Sequence, residues 1–141
     1  TCTLLRPNLV KNQIVVRTSV SSDLPAVEAS RAHILQVCLN IVMNAIDAMP
    51  GGGHLHVTLV PEARRVPGVL MRFADTGKGI PADDLERIYE PFFTKGKAKG
   101  VGLGLTITRD MVERHHGQLV IQSPPGRGAV VDVWLPLKHE A

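Results

Sequence analysis

The stretch from Arg31 to Met49 constrains this chain most. It is apolar at Ile34, Leu35, Val37, Cys38, Leu39, Ile41, Val42, Ala45, Ile46 and Met49, which is the pattern of a helix buried on most sides. Ser30 suits its N-cap, and Pro50 with Gly51, Gly52 and Gly53 ends it. Four polar residues cross it: Gln36, Asn40, Asn44 and Asp47. At the helical repeat they fall within an arc of about 80°. Unpartnered buried amides cost on the order of 1–3 kcal/mol each, so something must satisfy this stripe. Two readings stand at this point. The stripe is the wet side of a half-buried helix, or it is a row of oxygen donors for a hard cation such as Mg²⁺. Asparagine and aspartate are poor helix formers, and an ordinary surface stripe would more often carry glutamate, lysine or arginine.

Around this helix the pattern alternates between strands and helices. Leu4–Asn12 is weakly helical, and Ile14–Val20 reads as a strand with Ile14, Val16, Thr18 and Val20 on one face. Asp23–Pro25 is a turn, and Ala26–Ala29 is expected to be a short strand. His54–Val60 and Gly68–Ala74 are strands, and Pro81–Tyr89 opens like a short helix, with proline and two aspartates. Thr94–Gly100 reads as a loop of lysines and glycines. A helix is expected from about Leu103 to His116, stopped by Gly117. Gln118–Gln122 and Ala129–Leu135 are closing strands around a turn at Ser123–Gly128. This layout predicts an α/β two-layer sandwich: a mixed, mainly antiparallel sheet with helices on one face.

The length of 141 residues suits a single domain spanning 1–141, and 44% hydrophobic residues suffice for a core. A net charge of +3 fits an anionic ligand but argues against nucleic acid. No apolar run approaches the roughly 18 residues that cross a bilayer, so no membrane contact is expected. Cys2 and Cys38 make no disulfide framework, which favours a reducing cytoplasm. The sequence begins at Thr1 and is expected to be a segment of a longer protein, which could itself be membrane-anchored.

Three glycine clusters follow the long helix: Asp75-Thr-Gly-Lys-Gly79, Gly100-Val-Gly-Leu-Gly-Leu105 and Gly126-Arg-Gly128. Glycines let backbone amides approach a ligand, and a helix N-terminus favours phosphate. Gly77-x-Gly79-x-x-Ala82 has the form of a dinucleotide fingerprint, but no parallel βαβ continuation follows it. No Gly-x4-Gly-Lys-Ser/Thr is present, which excludes a P-loop. His54 and His56 share a strand face but lack a third ligand at zinc spacing. Phe92 and Phe93 are lid anchors, partner contacts or core, Trp134 is expected in the core, and Arg72 and Arg109 are surface or structural.

Taken in order, these motifs closely resemble the catalytic ATP-binding domain of bacterial sensor histidine kinases. Asn40-Ile-Val-Met-Asn44-Ala-Ile-Asp-Ala48 looks like the N box, and Asp75–Gly79 like the G1 box. Tyr89-Glu-Pro-Phe-Phe-Thr94 resembles the F box, and Gly100–Leu105 the G2 box. Gly126–Gly128 stands where the last glycine cluster lies, so the resemblance covers nearly the whole chain. The wording of the F box looks most like the nitrogen-regulation subtype. The resemblance implies the Bergerat ATP-binding fold, with ATP and Mg²⁺ as cofactors. It implies that Asn44 coordinates Mg²⁺ and that Asn40 lies beside the phosphates. Asp75 would accept the adenine amino hydrogen, with Gly77 and Gly79 leaving room for the base. Thr94–Lys99 would form a lid from which Lys95, Lys97 or Lys99 reaches the phosphates, Lys95 joining Asn40 and Asn44 as catalytic. Asp47, Ile80, Phe93, Thr94 and the run Gly100, Val101, Gly102, Leu103, Gly104 and Leu105 complete the implied nucleotide contacts.

ATPases that share this fold usually carry a water-activating glutamate where this chain has Asn40. A neutral amide is a poor base, which favours a kinase over a hydrolase. The phosphoacceptor in such kinases is a histidine before an acidic residue, on a helical hairpin that dimerises. Of the six histidines only His139 precedes an acid, Glu140, and it stands at the tail. The dimerisation and phosphoacceptor domain is therefore expected to be absent, and the isolated domain to be a monomer. The resemblance implies transfer of the γ-phosphoryl to a histidine on that domain, with a response-regulator receiver domain downstream. The alternatives on the same fold are an ATP-gated conformational ATPase and an anti-sigma-type serine kinase.

Overall fold

In the computed structural model of the chain, residues 7, 9–79, 101–123 and 128–137 are described, 101–105 by backbone alone. Five strands form one sheet: β1 (Ile14–Val20), β2 (Gly53–Pro61), β3 (Gly68–Asp75), β4 (Gln118–Gln122) and β5 (Val130–Pro136). Their order is β1-β2-β3-β5-β4. Helix α1 (Arg31–Ala48) joins β1 to β2 and α2 (Val101–Arg114) precedes β4. A crossover helix lets consecutive strands run parallel, and β1 pairs β2 in that sense. The remaining three pairings are antiparallel. The sheet is mixed and mainly antiparallel, as the alternation of patterns predicts. The antiparallel neighbours of β3 on both sides rule out the parallel continuation that a dinucleotide fingerprint requires.

Strand alternation separates two faces. Ile14, Leu55, Val57, Met71, Phe73, Leu119, Val133 and Leu135 turn toward the helices and form one core with Val37, Ile41, Val42, Ala45, Ile46 and Met49 of the α1 region and Val112 of α2. Each such side chain contributes roughly 1.5–3 kcal/mol by leaving water. The opposite face carries Arg72, flanked in register by Thr58 and Asp132, which it meets through Nε at 2.8 Å and Nη2 at 2.9 Å. Arg72 is thus structural, as the sequence suggests. Trp134 lies on that face too, yet it is buried beneath the β2–β3 connection. Its Nε1 donates to Glu62 O at 2.8 Å, and the Arg64 guanidinium stands 5.4 Å from its ring.

Ser30 caps α1, its hydroxyl accepting from His33 N, and Met49 closes the helix through a bond to Ile46 O. Ala26–Ala29 is not a strand. One backbone bond, Glu28 N to Leu137 O at 2.8 Å, holds the segment without a ladder. On β1 the expected inward face holds only at its start. Ile14 is buried, Val16 half-buried, and Thr18 and Val20 are exposed. The expected helix Pro81–Tyr89 and loop Thr94–Gly100 lie outside the described residues, as does most of the Ser123–Gly128 turn. No helix among the described residues is long and apolar enough to cross a membrane.

Candidate functional site

The polar stripe of α1 is only partly wet. Gln36 is exposed, whereas Asn40, Asn44 and Asp47 are half-buried. Gln36 Nε2 donates to Asn40 Oδ1 at 2.8 Å, and Asn40 Nδ2 donates to Thr108 Oγ1 of α2 at 3.0 Å. Asn44 differs: its Nδ2 is buried and has no hydrogen-bond partner among the described residues. An orphaned amide hydrogen is costly, so core stability does not explain this asparagine.

The C-terminal end of α1 meets the first glycine cluster. Lys78 N donates to Ala48 O at 3.1 Å, and a side chain at Gly77 would stand 2.4 Å from that oxygen. Thr76 Oγ1 accepts from His54 N at 3.0 Å and reaches Met49 Sδ at 3.7 Å, tying the same end to β2.

Asp75 ends β3 and is 9% exposed. Its Oδ1 accepts from Gly77 N at 2.9 Å and from Ala129 N at 3.2 Å, while its own N–H donates to Ala129 O at 3.0 Å. One oxygen takes both backbone bonds, and Oδ2 keeps its lone pairs for another donor. Burial pushes the carboxyl pKa up, against the opposing pull of the Gly77 and Ala129 N–H groups. Gly128, at φ 75°, lies against it: a Cβ there would fall 2.2 Å from Asp75 O and 2.9 Å from Oδ1. Ser123 Oγ donates to Gly128 O at 2.8 Å and fixes that glycine in place.

Thus the structure brings together the end of α1, the end of β3 and the start of β5, around Asp75, Gly77 and Gly79. Val101, Gly102, Leu103, Gly104 and Leu105 form the first turns of α2. Ile80, Phe93, Thr94, Lys95, Lys97, Lys99 and Gly100 lie outside the described residues. Thr108 and Ser123, which the motifs pass over, bond Asn40 and Gly128 respectively. Burial is what marks Thr108. It precedes Val112 by one helical turn, both are fully buried, and a buried hydroxyl requires a partner. His54 and His56 are exposed on the open sheet face, His56 Nε2 bonding Ser19 Oγ at 2.9 Å. Among the described residues no group of three or more His, Cys, Asp or Glu is placed to hold a metal.

The amide stripe of α1, the buried Asp75 at the end of β3 and the glycine-lined backbone beside it are the features that the comparisons with known proteins address. Residues 29–139 match the family described as histidine kinase-, DNA gyrase B-, and HSP90-like ATPases, and the chain belongs to that family. Within it the chain is of the sensor histidine kinase type, the ATP-binding catalytic domain. It is 38% identical over 125 residues to the sensor histidine kinase ZraS of Escherichia coli K12, a match that covers 89% of this chain and 26% of that protein. It is 33% identical over 141 residues to sporulation kinase E of Bacillus subtilis strain 168, covering 100% of this chain and 19% of that one. The catalytic domain of the histidine kinase ThkA superposes with a TM-score of 0.81 at 31% identity, covering 96% of this chain and 88% of that domain. Full-length ShkA, solved with AMPPNP, superposes with a TM-score of 0.82 at 28% identity over 99% of this chain and 29% of its own. The chain therefore spans about a third or less of the curated relatives it matches.

Proposed function

We propose that the chain binds Mg·ATP and donates the γ-phosphoryl to a histidine on the dimerisation and phosphoacceptor domain of its parent kinase, from which a response-regulator receiver domain takes it. The bonding of Asn40 carries this reading. A water-activating base needs an ionisable group with a free lone pair, and position 40 holds a neutral amide engaged at both ends by Gln36 and Thr108. Such a group can hold phosphate but does not activate water. Phosphoryl transfer to an outside nucleophile then depends on position and on neutralised charge.

The remaining roles follow from the donor chemistry. Asp75 Oδ2 would accept the adenine amino hydrogen, with Gly77 and Gly79 giving the base its place. Asn44 fits Mg²⁺. An amide oxygen is a hard neutral donor, and the unpartnered Nδ2 on the same side chain marks a residue kept for something other than packing. Bound there, the metal would neutralise phosphate charge. Asp47 lies one turn further along the same stripe. Lys95, Lys97 and Lys99 would supply positive charge over the phosphates, and the amides of Gly100–Leu105 would meet them at the start of α2.

The test supplies the chain with γ-labelled ATP and Mg²⁺, with and without a separately expressed acceptor hairpin. Acid-labile, base-stable label on the hairpin and slow phosphate release without it are expected. Label on serine, or rapid phosphate release by the chain alone, would give the reaction to a serine kinase or to a hydrolase. Asn44→Ala should abolish the Mg²⁺-dependent transfer, and normal transfer by that variant would remove Asn44 from the metal site.

A further inference from the structure

We infer that Thr108 is a positioning residue for phosphoryl transfer, acting through the Asn40 carboxamide; this rests on the reading of Asn40 as a phosphate-side group. Thr108 is fully buried at the contact between α1 and α2. Valine has the same shape and no polar requirement, and Val112 fills the equivalent buried place one turn later. The hydroxyl is used instead, as the acceptor for Asn40 Nδ2 at 3.0 Å.

A carboxamide has two donor hydrogens and two acceptor lone pairs. The bonds from Gln36 and to Thr108 engage one of each and hold the amide plane at both ends. One N–H and one lone pair remain for a ligand, in a direction that the two partners set. Preorganised donors of this kind act best when they need no rearrangement as charge shifts. Gln36 lies exposed on the same helix as Asn40, so Thr108 is the partner that ties the amide to a second element. Gly104 and Val101 precede Thr108 by four and seven residues, on the same face of α2. The bond therefore links the amide stripe of α1 directly to the helix whose first turns carry the glycine cluster. Losing it would free the amide to rotate.

The test compares the parent chain with Thr108→Val, Thr108→Ser, Asn40→Ala and the double variant Asn40→Ala/Thr108→Val. Each is mixed with Mg·ATP and a separate acceptor hairpin. Removing one neutral hydrogen bond should lower the transfer kcat of Thr108→Val roughly three- to tenfold, with nucleotide Kd and melting temperature close to the parent. Thr108→Ser restores the hydroxyl and should restore kcat. In the double variant Thr108→Val should add nothing, because the group it positions is gone. A second readout is the side-chain amide signal of Asn40 in ¹⁵N-resolved NMR, identified by its loss in Asn40→Ala. That signal should move and exchange faster in Thr108→Val. Full kcat in Thr108→Val beside a damaged Asn40→Ala overturns the positioning role alone. So does a fall in Thr108→Val that serine does not rescue or that adds to the Asn40→Ala loss. Full kcat in Asn40→Ala overturns the phosphate-side reading, and the role of Thr108 with it.

Discussion

In its proposed role Asp75 places stability and binding in opposition. Its carboxyl pKa is raised by burial, against the pull of the Gly77 and Ala129 N–H groups. A raised native pKa means that the folded chain holds the proton more tightly than the unfolded chain. The stability from this group is fully present below the unfolded aspartate pKa and is lost as pH rises through the higher native value. Above that native value the ionised carboxylate is a cost to the empty fold. Asp75→Asn keeps an oxygen for both backbone N–H groups and removes the charge. We expect the empty variant to melt no lower than the parent at pH 7, with its relative standing falling as the medium turns acid. ATP affinity should fall roughly ten- to a hundredfold, since a hydrogen bond to a charged acceptor is worth about 1.5–3 kcal/mol. Melts from pH 4 to 8 and calorimetric titration read the two effects separately, and unchanged affinity would remove the adenine contact from Asp75. This aspartate was legible in the sequence because it opens a glycine cluster directly after a strand. Thr108 and Gly128 were harder to place. The partner of a lone helical hydroxyl lies 68 residues away. The glycine requirement at 128 comes from the backbone of Asp75, which only the β3–β5 pairing brings near.

At the level of elements, the end of α2 shows how tertiary contact moves a local signal. Glycine is the usual left-handed residue past a helix, so the sequence places the stop at Gly117. The left-handed residue is instead His116, at φ 62°. His116 N bonds Glu113 O and Gly117 N bonds Val112 O, and the helix closes at Arg114, two residues before the expected end. Gly117 is needed for another reason: a Cβ there would meet Trp134 O at 2.3 Å. A left-handed non-glycine residue costs roughly 1–2 kcal/mol, partly offset by the entropy that glycine loses on folding. His116→Gly should therefore raise the melting temperature by about 1–4 °C. Beside it, where Ser30 N donates to His115 Nε2 at 3.2 Å, Ser30→Ala should cost about 1 kcal/mol by removing the α1 cap, and Ser30→Asp should keep it. Calorimetry on the three variants tests both helix termini; an unshifted His116→Gly would mean that the left-handed turn carries no strain. The bounds of β1 and β4 could be read from alternation alone, because that pattern is local. The parallel pairing of β1 was not legible, since a strand's neighbour is chosen by chain far away. Ala26–Ala29 has strand-like composition, but it has one bond to Leu137 in place of a ladder.

Across the whole molecule, the sheet order gathers the site at one end and leaves a reporter elsewhere. Asp75 ends β3, Ala129 leads into β5, and the end of α1 meets Lys78 between them. The chain's single tryptophan, Trp134, pairs with Leu70 and Gln118 on the sheet face away from the helices, four ladder positions along β5 from Val130. It is buried under Glu62 and Arg64, so its fluorescence follows unfolding of the sheet and not occupancy of the site. A ligand that binds only the folded chain stabilises it by about 2.7 kcal/mol at a hundred times its Kd. For a domain of this size that is a rise of roughly 5–10 °C in the tryptophan melt. We expect Mg·ATP to produce this rise in the parent chain, and metal removal by chelation to reduce it. Asp75→Asn at the same ATP concentration should lose half to most of it, because a ten- to hundredfold weaker Kd removes about 1.3–2.3 kcal/mol of the linkage. Thr108→Val should keep nearly all of it while its transfer rate falls, since its proposed role lies in the orientation of one amide and not in holding the nucleotide. A Thr108→Val melt that ATP no longer shifts would place that hydroxyl in nucleotide binding, and an Asp75→Asn melt that shifts as the parent's does would move the adenine site elsewhere in the fold.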